Sequence, residues 1–397
     1  MSKNTETNTD TKAEATKTLA RKGKQKNSLT AGQKPSWIWI AVLAGAVVVG
    51  FAWTFLVQHT FSIVGFTIIT AIAYIIGMYV ATFALENRRR AADGLWKNLV
   101  WATFIIALLP LISVIWTVVA NGLPSLVRNP AMLFQDMDGV TGATDQKTAQ
   151  GGPLMGGFAH GLVGTLMITL LATIISVPVG LMTSIYLVEY GKGKLFSRAI
   201  TFFVDVMTGI PSIVAGLFAF AVFQLFITTF IGTSPAKLQL VKMGFTAAIA
   251  LSILMIPVVV RSTEEMLRVV PNELREASYA LGVRKWRTIM KVVLPTSISG
   301  IASGVTLAIA RVTGETAPIL VTAGYIATTN WNVFNGWMTA LPVYIYRQLV
   351  NPTAPAAPDP SIARAWAAAL VLIVIVMLLN LVARIIAKAF APKKTGR

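Results

Sequence analysis

Eight stretches of this chain are apolar over roughly the 20 residues that a helix needs to cross a hydrocarbon core. They fall at about 37–57, 61–85, 99–120, 158–188, 199–231, 245–260, 297–322 and 363–386. Inside lipid every backbone N–H and C=O must be satisfied within the protein, so such stretches fold as helices. A β-barrel would instead show alternating segments of about 10 residues, and the sequence has none. The expected fold is an all-α polytopic membrane protein with about eight transmembrane helices. Only 13% of the 397 residues are charged, against about 25% in soluble domains, which agrees.

The net charge of +18 would suggest nucleic acid on a soluble domain. Here the cations flank the apolar stretches, and no basic face with stacking aromatics appears, so a nucleic-acid partner is excluded. With the N-terminus inside, segments 1–36, 86–98, 189–198, 261–296 and 384–397 are internal and hold 27 Lys and Arg. The outer connections 121–157, 231–243 and 328–361 hold 5. That asymmetry predicts both termini on the cytoplasmic side. Trp37, Trp39, Trp96, Trp101, Trp331 and Trp337 fall at span ends, where an aromatic belt is expected. Residues 1–35 are polar and lack large apolar side chains, and they read as a disordered basic cytoplasmic tail.

Several chemistries are missing. There is no cysteine, so no thiol nucleophile or disulfide framework. The two histidines, His59 and His160, lie far apart, and no metal site is expected. No Gly-x-x-x-x-Gly-Lys-Ser/Thr loop is present, nor a Ser–His–Asp or paired-carboxylate set. The chain is not expected to be an enzyme or to hold a cofactor of its own.

The segment 261–296 is basic and amphipathic, yet lies between two apolar spans. Pro271 disfavours helix before it, Asn272 can cap a new start, and Gly282 can supply a left-handed stop. Leu274, Ala277 and Leu281 fall on one face. A second helix through "VRKWRTIMKVVLP" leads into the next span. The residues alone fit two readings: a helix lying on lipid headgroups, or one that docks in a groove on another protein.

The finer pattern is Glu276-Ala277-Ser278, Gly282 three residues on, and Val292-x-Leu294-Pro295 after nine more. It resembles the EAA loop of ABC-importer permeases, with Ser278 and Val292 as its two departures. "VPVGLMTSIYLVEYG", "GIPSIVAGLFAF" and "LAIARVTGETAPIL" look like the phosphate-transporter permeases of the PstA branch. The resemblance covers roughly residue 96 to the C-terminus. It implies a type I ABC-importer permease core preceded by an extra two-helix hairpin. The chain then divides into the tail 1–35, a hairpin with a basic linker 36–98, a first core helix and outer loop 99–157, and a permease domain 158–390.

The implied function is one half of an ATP-driven phosphate pathway in a bacterial plasma membrane. The implied partners are a PstB-like ABC ATPase dimer that binds the ATP and magnesium, a second, PstC-like permease, a PstS-like extracytoplasmic phosphate-binding protein, phosphate and membrane lipid. Glu276, Ala277, Ser278, Leu281, Gly282, Leu294 and Pro295 would be the ATPase coupling residues. The resemblance does not exclude an ABC permease for another oxyanion or small solute, and a secondary transporter is the more distant rival.

Arg311 and Glu315 are four apart in the seventh span and would share a helix face. A buried-span ion pair of this kind either helps the bundle pack or serves a substrate path. The resemblance implies that Arg311 and Arg261 line a phosphate path, with Glu315 offsetting Arg311. Gly300 and Gly304 have GxxxG spacing, which lets helices approach closely. Pro178, Pro211, Pro257 and Pro318 interrupt backbone bonding and either shape the bundle or form gating joints.

Overall fold

The computed structural model describes residues 34–56, 63–191 and 193–390. The basic tail therefore lies outside the described residues, as does His59. Helices α1 (Ile38–Leu56) and α2 (Ile63–Leu85) form the expected hairpin. A Cβ on Gly50 would stand 2.1 Å from Thr70 Oγ1, and one on Gly77 would stand 2.8 Å from Val42 Cγ1. Those two glycines let the backbones approach. Lys34 ties the open end: its N–H donates to Glu86 Oε1 at 2.8 Å and its Nζ to Thr82 Oγ1 at 3.1 Å.

Helix α3 (Arg88–Arg128) is longer than expected, with 41 residues. The basic linker is part of this helix rather than a loop. Asn87 Oδ1 accepts from the Arg90 N–H at 2.9 Å and satisfies one of the start's free donors. Two compact units result, up to Val114 and from Ile115 on.

The second unit holds the remaining elements: α4 (Gly142–Ala149), α5 (Ala159–Ile185) ending in a π-helical turn Tyr186–Tyr190, α6 (Leu195–Thr208), α7 (Ser212–Phe230), α8 (Pro235–Leu238), α9 (Gly244–Val269), α10 (Asn272–Ala280), α11 (Lys285–Thr288), a second π-helical turn Ile289–Val293, α12 (Leu294–Thr313), α13 (Ala317–Thr322), α14 (Leu341–Val350) and α15 (Asp359–Phe390). Among the described residues eight helices are long and apolar enough to cross a membrane, as the sequence predicts.

Helix α9 is the hub, with 67% of its most apolar stretch buried. Its Ala247, Ala248, Leu251, Met255 and Val259 pack with Ile168 and Ala172 of α5 and with Ala308 and Val312 of α12. Small residues permit this density. A Cβ on Gly180 would meet Val259 Cγ1 at 2.7 Å.

Three expectations need correction. The fifth span is not one helix over 199–231. It breaks at Gly209 and Pro211, because Pro211 has no N–H to donate and pushes its predecessor out of helix. Helix α6 has 14 residues and does not span; α7 does. The sixth span extends nine residues past 260 and ends at Val269. The seventh stops at Thr313, with Gly314 as its cap, and the chain restarts at Ala317. Pro178 and Pro257 lie inside their helices, whereas Pro318 sits in the first turn of α13.

The two glycines of the GxxxG spacing lie against α9. A Cβ on Gly304 would come within 2.4 Å of Ser262 Cβ, and one on Gly300 within 2.1 Å of Met266 Sδ. The methionine tip can swing away, but the serine Cβ is fixed to α9. Gly304→Val is therefore expected to cost about 2 kcal/mol or more through overpacking, and Gly300→Ala clearly less. Thermal unfolding in detergent would show a larger drop in Tm for the first; equal drops would contradict this packing.

Candidate functional site

Helix α10 is built by its flanks. Pro271, with φ −58° and ψ 142°, occupies the cap position, so Asn272 is the first helical residue rather than the cap. Gly282 adopts φ +71°, a conformation that costs other residues. Its N–H donates to Tyr279 O at 2.9 Å, which gives the left-handed stop the sequence predicts.

The inner face of α10 is polar. Arg275 is buried, with its side chain 10% exposed, against Glu189 at 5%. The Arg275 Nε donates to Glu189 Oε1 at 3.0 Å. One terminal nitrogen donates to Val270 O at 2.6 Å and to Asn272 Oδ1 at 3.3 Å, and the other to Leu267 O at 2.8 Å. A single guanidinium thus closes the open C-terminal carbonyls of α9 and grips the π-helical turn that ends α5. Such turns recur at functional sites. Lys285 Nζ donates to the Glu189 carbonyl and lies 4.8 Å from the Tyr190 ring centre. Ser278 and Thr288 share a hydrogen bond of 2.9 Å, which fastens α10 to α11.

The outer face of α10 is bare. Leu274, Ala277 and Leu281 are exposed, Leu281 at 83%. Glu276 and Gly282 are exposed with them. The predicted coupling residues therefore divide. Glu276, Ala277, Leu281 and Gly282 face outward. Ser278 holds the fold, Leu294 packs on the core of Val188, Leu267 and Val293, and Pro295 stands in the first turn of α12.

Further along, Arg311 is exposed in the last turn of α12. It does not pair with Glu315. The helix ends two residues before Glu315, whose own N–H folds back to Val312 O at 3.2 Å, so the expected i,i+4 face never forms. A cation in a last turn is instead favoured by the negative end of its own helix. Arg261 bridges α6 and α9 by pairing with Asp205 and with Glu264, at 2.9 Å in the second case; Glu264 also accepts from Arg268 at 3.0 Å. Pro318 lies beneath α7, where a Cβ on Gly216 would meet its Cα at 2.6 Å. That close approach fixes the break between α12 and α13.

A profile for binding-protein-dependent transport system inner membrane components matches residues 176–396. The chain belongs to this family. As an inner membrane component it has well-matched relatives. It is 45% identical over 302 residues to the phosphate transport system permease protein PstA 1 of Mycobacterium tuberculosis, covering 76% of this chain and 89% of that one. It is 44% identical over 297 residues to the phosphate transport system permease protein PstA of Mycobacterium leprae, covering 75% and 89%. With the protein of that name from Yersinia pestis it shares 35% over 320 residues, covering 79% and 97%.

At the end of this component away from α10, a second buried ion pair appears that the sequence reading missed. Arg364 and Asp145 are both fully buried and bind bidentately, at 2.9 and 2.5 Å. Met155 O and Ser361 Oγ accept from the same guanidinium at 3.0 and 3.2 Å. The pair joins α4 to α15 across 219 residues of sequence. Nearby, Asp136 accepts from the Asp138 N–H at 3.1 Å and from the Thr329 N–H and hydroxyl at 3.1 and 3.2 Å. Burial opposes its ionisation, but these donors win and hold its pKa below the usual 3.8. Among the described residues no His, Asp and Glu cluster could hold a metal. His160 instead packs edge-on against Tyr344 at 5.2 Å.

Proposed function

We propose that this chain is one of two permease halves of an ATP-driven importer of inorganic phosphate. Its α10 receives the motion of an ABC ATPase dimer that binds the ATP and magnesium. A second permease completes the path, and an extracytoplasmic phosphate-binding protein delivers the anion. The chain sits in a bacterial plasma membrane with both termini in the cytoplasm, the orientation that 27 against 5 internal and external cations favours.

The observation that carries this reading is Arg311. It is an arginine within an apolar span, exposed, and without an acidic partner among the described residues. A charge there is costly unless it faces water or a ligand. Its planar fork stays protonated and matches two phosphate oxygens. The stretch that carries it runs Lys285–Thr313, so it starts at the α10 connection and carries Arg311 in its last turn. Movement of the connection is thereby delivered to the cation. With Asp205 and Glu264 on either side, Arg261 acts in this scheme as a paired hinge between α6 and α9 at the exit.

Arg311→Ala in the reconstituted complex is expected to lower phosphate uptake at least tenfold while ATP hydrolysis and assembly persist. Arg311→Lys should retain part of the uptake. Undiminished uptake by Arg311→Ala would refute the phosphate-path assignment.

A further inference from the structure

A cavity of about 400 Å³ opens between α9, α12 and α15 at the α10 end of the bundle. Its polar lining comprises Ser262, Glu265, Ser303, Thr306, Asn380 and Arg384. Ser303, Leu307 and Arg311 are four apart along α12 and all exposed, so the cavity and Arg311 lie on one face of that helix. Eight residues separate Ser303 from Arg311, about 12 Å of helix rise. Among the described residues the side chain of Arg384 has no ion-pair or hydrogen-bond partner, and neither has that of Glu265. Asn380 spends one N–H on Val376 O at 2.8 Å and keeps its second donor.

We propose that this cavity is a second oxyanion station, in which Arg384 receives phosphate after Arg311 and before release. The proposal rests on the phosphate reading above. An unpaired guanidinium, a spare amide donor and the Ser303 hydroxyl supply the donors that a phosphate needs. Glu265 on the same wall repels the anion and keeps the hold weak enough for onward movement. An adjoining groove of Val374, Met377, Leu378 and Leu381 also reaches Arg384, so a phospholipid headgroup would offer the same phosphate chemistry. The hydroxyl-bearing face shared with Arg311 favours the free anion.

The chain lacks cysteine, so a single Leu307→Cys reports on the cavity without removing any of its donors. In membranes holding the full complex, its rates of modification by an anionic and a cationic methanethiosulfonate are measured with and without inorganic phosphate. Met266→Cys serves as a second reporter if the first variant assembles poorly. Phosphate is expected to slow both reagents, and Arg384→Gln to remove that protection. Losing one nearby charge changes each rate about threefold in opposite directions, so the anionic-to-cationic ratio should fall roughly tenfold. No protection by phosphate, protection that survives Arg384→Gln, or protection set by anionic lipid content instead of phosphate would each overturn the station. Failure here with uptake still lost in Arg311→Ala removes only the second station. Protection here with normal uptake in Arg311→Ala removes the path assignment and leaves the cavity as an anion site.

Discussion

Arg275→Ala is expected to uncouple the complex: ATP hydrolysis continues while phosphate uptake falls at least tenfold. The substitution removes every bond of one guanidinium. Glu189 is left buried without its partner, and the Leu267 and Val270 carbonyls at the end of α9 lose their donor. Breaking a buried pair in this way costs about 3–5 kcal/mol. The cost falls on the joint where α10, α5 and α9 meet, not on the central core. Helix α10 can then still dock through Leu274, Ala277 and Leu281, but its movement no longer reaches α5.

Glu189→Gln should be milder, because its side-chain oxygen can still accept from Arg275 Nε. The exchange Glu189→Arg with Arg275→Glu should not rescue. A carboxylate at 275 would face two carbonyls rather than donate to them. The ratio of phosphate imported to ATP hydrolysed, measured in proteoliposomes, decides the matter. An unchanged ratio in Arg275→Ala would show that the joint does not transmit force.

Asp145→Ala is expected to be the most destabilising single change at the opposite end. Arg364 is fully buried, and its Nε already lacks a partner. Removing the carboxylate leaves a whole guanidinium charge uncompensated, again about 3–5 kcal/mol. The double change Asp145→Leu with Arg364→Met removes both charges and should recover most of the loss, since apolar replacements of buried pairs are often neutral. Thermal unfolding in detergent would show a large drop in Tm for the single variant and a small one for the double. If the double variant were as unstable as the single, the pair would have to serve through its hydrogen bonds to Met155 and Ser361 instead.

What the sequence made legible follows from distance along the chain. The spans, the bare face of α10 and the Gly282 stop depend on neighbours within a few residues, and periodicity exposes them. So does the Gly300–Gly304 approach, because small residues four apart have few other uses in a span. The Arg311–Glu315 pair failed for a local reason: spacing four apart means contact only while the helix continues, and Gly314 ends it. The Glu189–Arg275 and Asp145–Arg364 pairs are separated by 86 and 219 residues. Nothing local marks them. The only available signal was a charge inside or at the end of an apolar span, which needs a partner somewhere. The break at Pro211 was open to reading, since Gly209 stands two residues before it.

In the proposed function, work done by a partner ATPase enters through the exposed face of α10 and opens a path for phosphate. Leu281 is the side chain to change, because it is 83% exposed on the outer face of α10. ATP-driven uptake of radiolabelled phosphate should be compared in proteoliposomes carrying the wild-type complex and Leu281→Asp. Uptake is expected to collapse in the variant while the isolated permease keeps its thermal stability. Uptake at the wild-type rate in a fully assembled Leu281→Asp complex would contradict it.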